Sequence, residues 1–209
     1  MKWTTAVRTL EEVADRCAHV SRQPAGIVRL RVEEAWVFGA LLGPRRDVLE
    51  DAGAVRVALV TNAEEADCAH GAQPPAAGHW LAASGLATRP VTLTFRSARA
   101  PVWNHLVDRP VRFWTVGDGT DHEVLGQLRA GDGEGLRPDP PTPAELAARL
   151  DRELAVSLGA LGRAAREYDE QRWAPGAPTR RADALADVAL GYLDLRAARD
   201  GLGVGSLGA

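Results

Sequence analysis

The run Val55-Arg56-Val57-Ala58-Leu59-Val60-Thr61 is apolar at every position except Arg56 and Thr61. A strand with one wet face alternates apolar and polar residues, whereas one that is apolar throughout is covered on both faces. The chain must therefore place this segment in the middle of a sheet and supply layers on either side. Upstream, residues 27–38 alternate in part and are rich in β-branched and aromatic side chains, which predicts a strand running into a turn at Gly39-Ala40. Residues 41–53, with Pro44, Asp47, Glu50, Asp51 and Gly53, read as a charged connection between the two strands.

The remaining pattern supplies the layers. Ala6, Val7, Leu10, Val13, Ala14, Cys17 and Val20 recur at helical spacing over residues 4–22, and Gln23-Pro24-Ala25-Gly26 stops that helix. Asn62 with Glu64 and Glu65 predicts a capped short helix, and residues 71–78 a loop. Alternation over 91–97 and the apolar positions of 110–116 predict two more strands. Thr120 and Glu123 have capping-box spacing for a helix to about residue 130.

Arg137-Pro138-Asp139-Pro140-Pro141 is a stiff, donor-poor linker. Thr142-Pro143-Ala144-Glu145 then joins a cap, Pro at the first helical position and Glu at the third, opening a helix striped by Leu146, Leu150, Leu154, Leu158 and Leu161. Trp173-Ala174-Pro175-Gly176 breaks it, and Ala184, Leu185, Val188, Tyr192 and Leu195 mark a second helix, so the pair forms an αα-hairpin. The expected fold class is α/β (α+β): a small mixed sheet of about four strands with flanking helices, then a C-terminal antiparallel helical hairpin. The expected divisions are 1–137, 138–200 and a Gly-rich, frayed tail at 201–209.

Composition excludes several classes. At 209 residues, 45% hydrophobic and 25% charged, with a net charge of −3, the chain is an ordinary globular protein without the basic footprint of generic nucleic-acid binding. No run approaches the ~18 apolar residues of a membrane span. No secretory leader is apparent, so a cytoplasmic location is expected. Cys17 and Cys68 are far apart and lack a Cys-x-x-Cys neighbourhood, so neither a disulfide framework nor a structural zinc site is signalled. There is no Gly-x-Ser-x-Gly elbow and no phosphate-binding Gly-x-x-x-x-Gly-Lys loop, Lys2 being the sole lysine. Gly131-Asp132-Gly133-Glu134-Gly135 has too few ligands for a calcium loop.

Residues 27–61, with Trp36-Val37-Phe38-Gly39-Ala40 at their centre, resemble the start of a nucleotidyltransferase domain. In that superfamily a Gly-Ser turn admits nucleotide phosphates, and a following strand carries two acidic residues at i and i+2 that hold divalent metals. Here Ala40 stands in the serine's place and Val55 and Val57 stand where the acids belong. The resemblance therefore implies a non-catalytic platform that acts by ligand or protein binding, without a cofactor. Two alternatives stand beside it. An active enzyme would use a nucleotide with Mg and displaced carboxylates at Asp47, Glu50 or Asp51; an interaction module would use the helical hairpin, as in toxin–antitoxin assemblies, with self-association among its options.

A second constellation is Pro101-Val102-Trp103-Asn104-His105-Leu106-Val107-Asp108-Arg109-Pro110-Val111-Arg112-Phe113-Trp114. With six Trp against three Phe in the chain, indole N–H groups need partners. Trp103 and Trp114, with Asn104, His105 and Arg112, are candidates to line a cleft for a planar ligand near Gly39, Arg112 pairing a phosphate or carboxylate. The plainer reading has the Trp residues filling the core, Asn104 capping a short helix and His105 bonded to a backbone carbonyl. Together with Met1-Lys2-Trp3-Thr4-Thr5-Ala6-Val7-Arg8, this stretch resembles an uncharacterised family of actinobacterial proteins, a resemblance that spans nearly the whole length of the chain. That resemblance implies a shared fold and supplies no chemistry.

Overall fold

A computed structural model of the protein describes residues 1–24, 26–49, 55–171, 173 and 178–204, leaving aside the side chains of 171, 178–182, 203 and 204. The chain divides into two compact units, Met1–Ala63 with Pro74–Pro140 and Glu64–Gln73 with Pro141–Ala209.

The first unit is α/β. Strands β1 (Val32–Phe38), β2 (Val55–Thr61), β3 (Val91–Ser97), β4 (Val111–Thr115) and β5 (Gly119–Thr120) form one mixed sheet in the order β3-β2-β1-β4-β5. β2 runs antiparallel to β1 and parallel to β3, while β4 is antiparallel to both β1 and β5. The sheet thus has five strands rather than about four. β5 is two residues long and pairs only with Trp114 and Thr115, too short to leave an alternating pattern in the sequence.

β2 meets its expectation: every residue but Arg56 is buried. Helix α1 (Trp3–Ser21) lays Trp3, Ala6, Val7, Leu10, Val13, Ala14, Cys17 and Val20 into the core. The Trp3 indole N–H donates to the Leu128 carbonyl oxygen of α3 (His122–Ala130) at 2.8 Å, so its one polar atom is satisfied inside. β1 begins at Val32 rather than 27, because the Arg31 backbone N–H turns aside to the Asn62 side-chain oxygen (2.9 Å). That contact also corrects the cap assigned to Asn62: the short 3-10 turn that follows, Glu65–Cys68, has no side-chain cap.

Helix α2 (Ala77–Ser84) begins inside the stretch expected to be loop. Pro74, Pro75 and Gly78 mask it in the sequence, but Ala77, Trp80 and Ser84 share one buried face, and the Trp80 ring meets Phe95 of β3 edge-on with centroids 6.2 Å apart. The expected cap of α3 shifts by one residue: Asp121, not Thr120, accepts the N–H groups of Glu123 and Val124. A four-residue helix, α4 (Gly133–Leu136), completes the unit.

In the second unit, α5 (Pro143–Gln171) opens with the expected capping box. The Glu145 N–H donates to the Thr142 hydroxyl (3.2 Å), and the Thr142 N–H donates to the Glu145 carboxylate (2.7 Å). Hydrogen bonds from the Thr142 hydroxyl and then its backbone N–H hold the Glu145 carboxyl below its ordinary range. The apolar stripe differs from the run of leucines, since Leu158 is 56% exposed while Leu150, Ser157 and Ala160 are buried. Steps of four residues drift by roughly 40° each on a helix, so a stripe of fixed direction passes through 157 rather than 158.

Helix α6 (Pro178–Val204) lies antiparallel, its Arg199 guanidinium donating to both oxygens of Asp151 at 2.7 and 3.2 Å. Val188 and Leu195 are buried as expected, whereas Ala184 is exposed. Gly201 to Val204 belong to α6 rather than to a tail, and residues 205–209 lie outside the described residues, as do Ala174, Pro175 and Gly176.

A strap from the stretch between β2 and α2 completes this unit. Ala69 packs with Ala160 and Val188, and Arg163 donates to Asp67 at 3.1 Å. The strap comes so close to α6 that a Cβ on Gly191 would stand 2.1 Å from the His70 carbonyl oxygen, and one on Gly71 2.0 Å from that of Asp187. In an ordinary helix Gly→Ala gains up to about 1 kcal/mol. At Gly191 the backbone collision reverses the sign, and Gly191→Ala is expected to destabilise by about 1–3 kcal/mol. Gly159→Ala on α5, where a Cβ meets nothing within 4 Å, is expected to stabilise. Chemical denaturation of both variants checks the pair; equal effects in the same direction would contradict the close approach.

Candidate functional site

One face of the sheet carries the residues singled out around Gly39. Trp36 and Phe38 alternate along β1, and across from them on β2 stand Ala58 and Arg56. Val107 packs on Phe38 and Ala58, with Trp36 and Val102 against the same cluster. The 102–107 loop therefore lies over the strand that ends at Gly39, which places Trp103, Asn104 and His105 on this side of the sheet. Gly39 has φ +80°, a conformation that side chains rarely adopt, and a Cβ there would sit 3.4 Å from the Cδ of Arg56. Arg56 is exposed, while Val55 and Val57 project to the opposite, fully buried face.

Arg112 stands beside Trp36 in the β1–β4 register, its guanidinium carbon 5.8 Å from the ring centroid. Glu34, two residues before Trp36 and thus on the same face, accepts from Arg112 at 3.1 Å and from the Trp36 indole N–H at 2.8 Å. A register shift between Ala35 and Trp36 lets Trp114 face Ala35, where it is 2% exposed. Trp114 and Arg112, together with Thr115, Asp118, Gly119, Thr120 and Asp121, line an open hollow of about 180 Å³. Sequence reading missed Glu34, Trp36 and Arg56 as members of this face. The available signal was their two-residue spacing on adjacent strands, visible only with the strand register known.

The loop residues divide by role. Asn104 is buried and its side-chain oxygen accepts the N–H groups of Leu106 and Val107 at 2.9 and 2.7 Å, closing a turn and not a helix. Trp103 and His105 are half-buried. Arg109 has φ +45°, the one described non-glycine residue in the left-handed region. Its Nε donates to the Pro138 carbonyl oxygen (2.7 Å) and its Nη1 to Glu134 (3.3 Å), while Arg137 donates to Asp108 at 2.5 Å and to Glu134 at 3.3 Å. These ion pairs anchor the loop just before β4.

The displaced carboxylates do not gather at the turn as far as they are described. Asp47 is exposed on a segment that pairs with the first residues of the chain, its carbonyl oxygen accepting the Trp3 N–H at 3.4 Å. Glu50 and Asp51 lie outside the described residues. Among the described residues, no group of three or more His, Cys, Asp and Glu side chains could hold a metal ion, and no helix is long and apolar enough to cross a membrane. Burial pushes the Cys17 thiol far above its ordinary value, so it packs as a core residue instead of acting as a thiolate.

Fold and site together define an α/β protein with an aromatic, arginine-bearing sheet face and a helical second unit. The chain belongs to the family described as Domain of unknown function (DUF7711), whose model matches residues 1–201. No curated protein and no solved structure matches it.

Asn104 gives the loop its shape by satisfying two backbone donors. Asn104→Ala strands these donors and is expected to cost about 1–3 kcal/mol. Asn104→Asp, which keeps the acceptor, is expected to cost less. Thermal unfolding of the two variants compares them, and an Ala variant as stable as the parent would remove Asn104 from this role.

Proposed function

We propose that the α/β unit is a nucleotidyltransferase-like platform that binds a ligand without transferring a nucleotidyl group, taking an anionic group of that ligand at the Gly39 turn through Arg56. The observation that carries this reading is the approach of the Arg56 side-chain stem to the turn, its Cδ 3.4 Å from where a Cβ on Gly39 would stand. Metal-dependent transfer requires carboxylates that concentrate positive ions, and a guanidinium at the same place repels them. It favours instead a phosphate or carboxylate, to which it presents parallel N–H donors.

The alternation of β2 supports the same reading. Val55 and Val57, which the resemblance sets at the superfamily's acid positions, are buried, so the exposed member of the trio is the cation. Among the described residues Arg56 forms no ion pair, leaving its charge available to a ligand.

ATP with Mg²⁺ or Mn²⁺ supplies the test. Calorimetry is expected to detect ATP binding that weakens roughly tenfold or more in Arg56→Ala, the loss of one charge-assisted contact. Labelled ATP is expected to give no nucleotidyl product. Transfer that disappears in Asp51→Ala would establish the active-enzyme alternative, and undiminished binding in Arg56→Ala would remove Arg56 from the site.

A further inference from the structure

We propose that the hollow over Trp114, at the β4–β5 edge of the sheet, binds a small two-ended ligand of the amino-acid type, with its ammonium at Asp118 and Asp121 and its carboxylate at Arg112 and the Trp114 indole N–H. The site does not include Arg56 or Gly39 and does not rest on the reading of the turn.

Three observations meet there. First, Trp114 is a lining residue that is 2% exposed, yet its indole N–H donates to no described residue. The indole N–H groups of Trp3 and Trp36 each find an acceptor within the protein. Trp114 lines a hollow from which such an acceptor can come.

Second, the charges of the lining are separated by kind. Arg112 spends one N–H on Glu34 and retains further donors in its planar fork. Asp118 accepts from the Thr115 hydroxyl through Oδ2, and Asp121 accepts the Glu123 and Val124 N–H groups through Oδ1. Each thus keeps its second carboxylate oxygen without a described partner. Donors come from β4, while acceptors come from the β4–β5 turn and the residue that caps α3.

Third, the charge balance selects the ligand. Glu34 already matches Arg112, so Asp118 and Asp121 leave the lining net negative. A simple anion is disfavoured there, and a simple cation leaves the Arg112 and Trp114 donors unused. A ligand carrying both an ammonium and a carboxylate answers both sets, and a second ammonium, as in a basic amino acid, fits the negative excess. The lining Thr115 and Thr120 hydroxyls are able to donate or accept as the ligand requires.

The experiment uses L-lysine as probe, with methylammonium and acetate as one-ended controls, and follows the Trp114 indole N–H signal by NMR, assigned by its loss in Trp114→Phe. L-Lysine is expected to shift that signal saturably, and both controls to leave it in place. Asp118→Asn and Arg112→Gln, each able to keep its existing hydrogen bond, are expected to weaken L-lysine roughly tenfold. Arg56→Ala is expected to bind L-lysine like the parent, which separates failure here from failure at the turn. The proposal is overturned if L-lysine gives no saturable shift, if methylammonium or acetate alone matches it, or if Asp118→Asn and Arg112→Gln both bind as the parent does.

Discussion

The double-sided burial of β2 is the constraint on which the α/β unit depends. Six of its seven residues are removed from water, and a strand in that position makes its ladder bonds on both edges and packs side chains on both faces. β1 and β3 supply the edges. Val55, Val57 and Leu59 turn to the face that also carries Val37 and Phe95, the latter under Trp80 of α2, while Ala58 turns to the face covered by Val107. Full burial of each large apolar side chain contributes about 1.5–3 kcal/mol. Arg56 is the exception, and it sits where β2 passes the Gly39 turn. The exposed residue of this buried strand therefore has its side-chain stem beside the turn.

Close approach organises the helical unit in a different way. α5 and α6 alone bury a narrow seam, and the strap from residues 64–73 adds alanines that meet Ala160 and Val188. Small side chains bring backbones near each other, and Gly71 and Gly191 take this to the limit at which no Cβ fits. Glycine inside a helix is unfavourable by roughly 1 kcal/mol as a local choice. Its presence in α6 is explained by the carbonyl oxygen of His70, which occupies the space a side chain would need.

The polar face of the sheet is largely self-satisfied. Glu34 receives Arg112 and the Trp36 indole N–H together, and the Arg109, Arg137, Asp108 and Glu134 group ties the loop before β4 to α4 and the residues that follow it. Partly exposed pairs of this kind contribute at most about 1 kcal/mol each, so their larger effect is to hold orientation. Against that background two groups without a partner among the described residues stand out: Arg56 beside the turn, and the indole N–H of Trp114, which lines the hollow.

Periodicity made the elements legible. The sequence by itself determined the central strand, α1, β3, β4, the capped start of α5 and the helical pair, because apolar spacing and caps are local properties that hold in any context. It did not reveal α2, whose Pro and Gly residues speak for a loop until Trp80 finds Phe95, nor β5, which is shorter than one period. Of the candidate site, it named Gly39, Trp103, Asn104, His105, Arg112 and Trp114, but not the company they keep. Only the tertiary structure decided that Arg112 stacks by Trp36 and shares Glu34 with it, that Asn104 shapes a turn, and that Arg56 covers Gly39. These depend on which residues of different strands lie opposite each other, and strand register is set by the pairing of segments far apart in the chain.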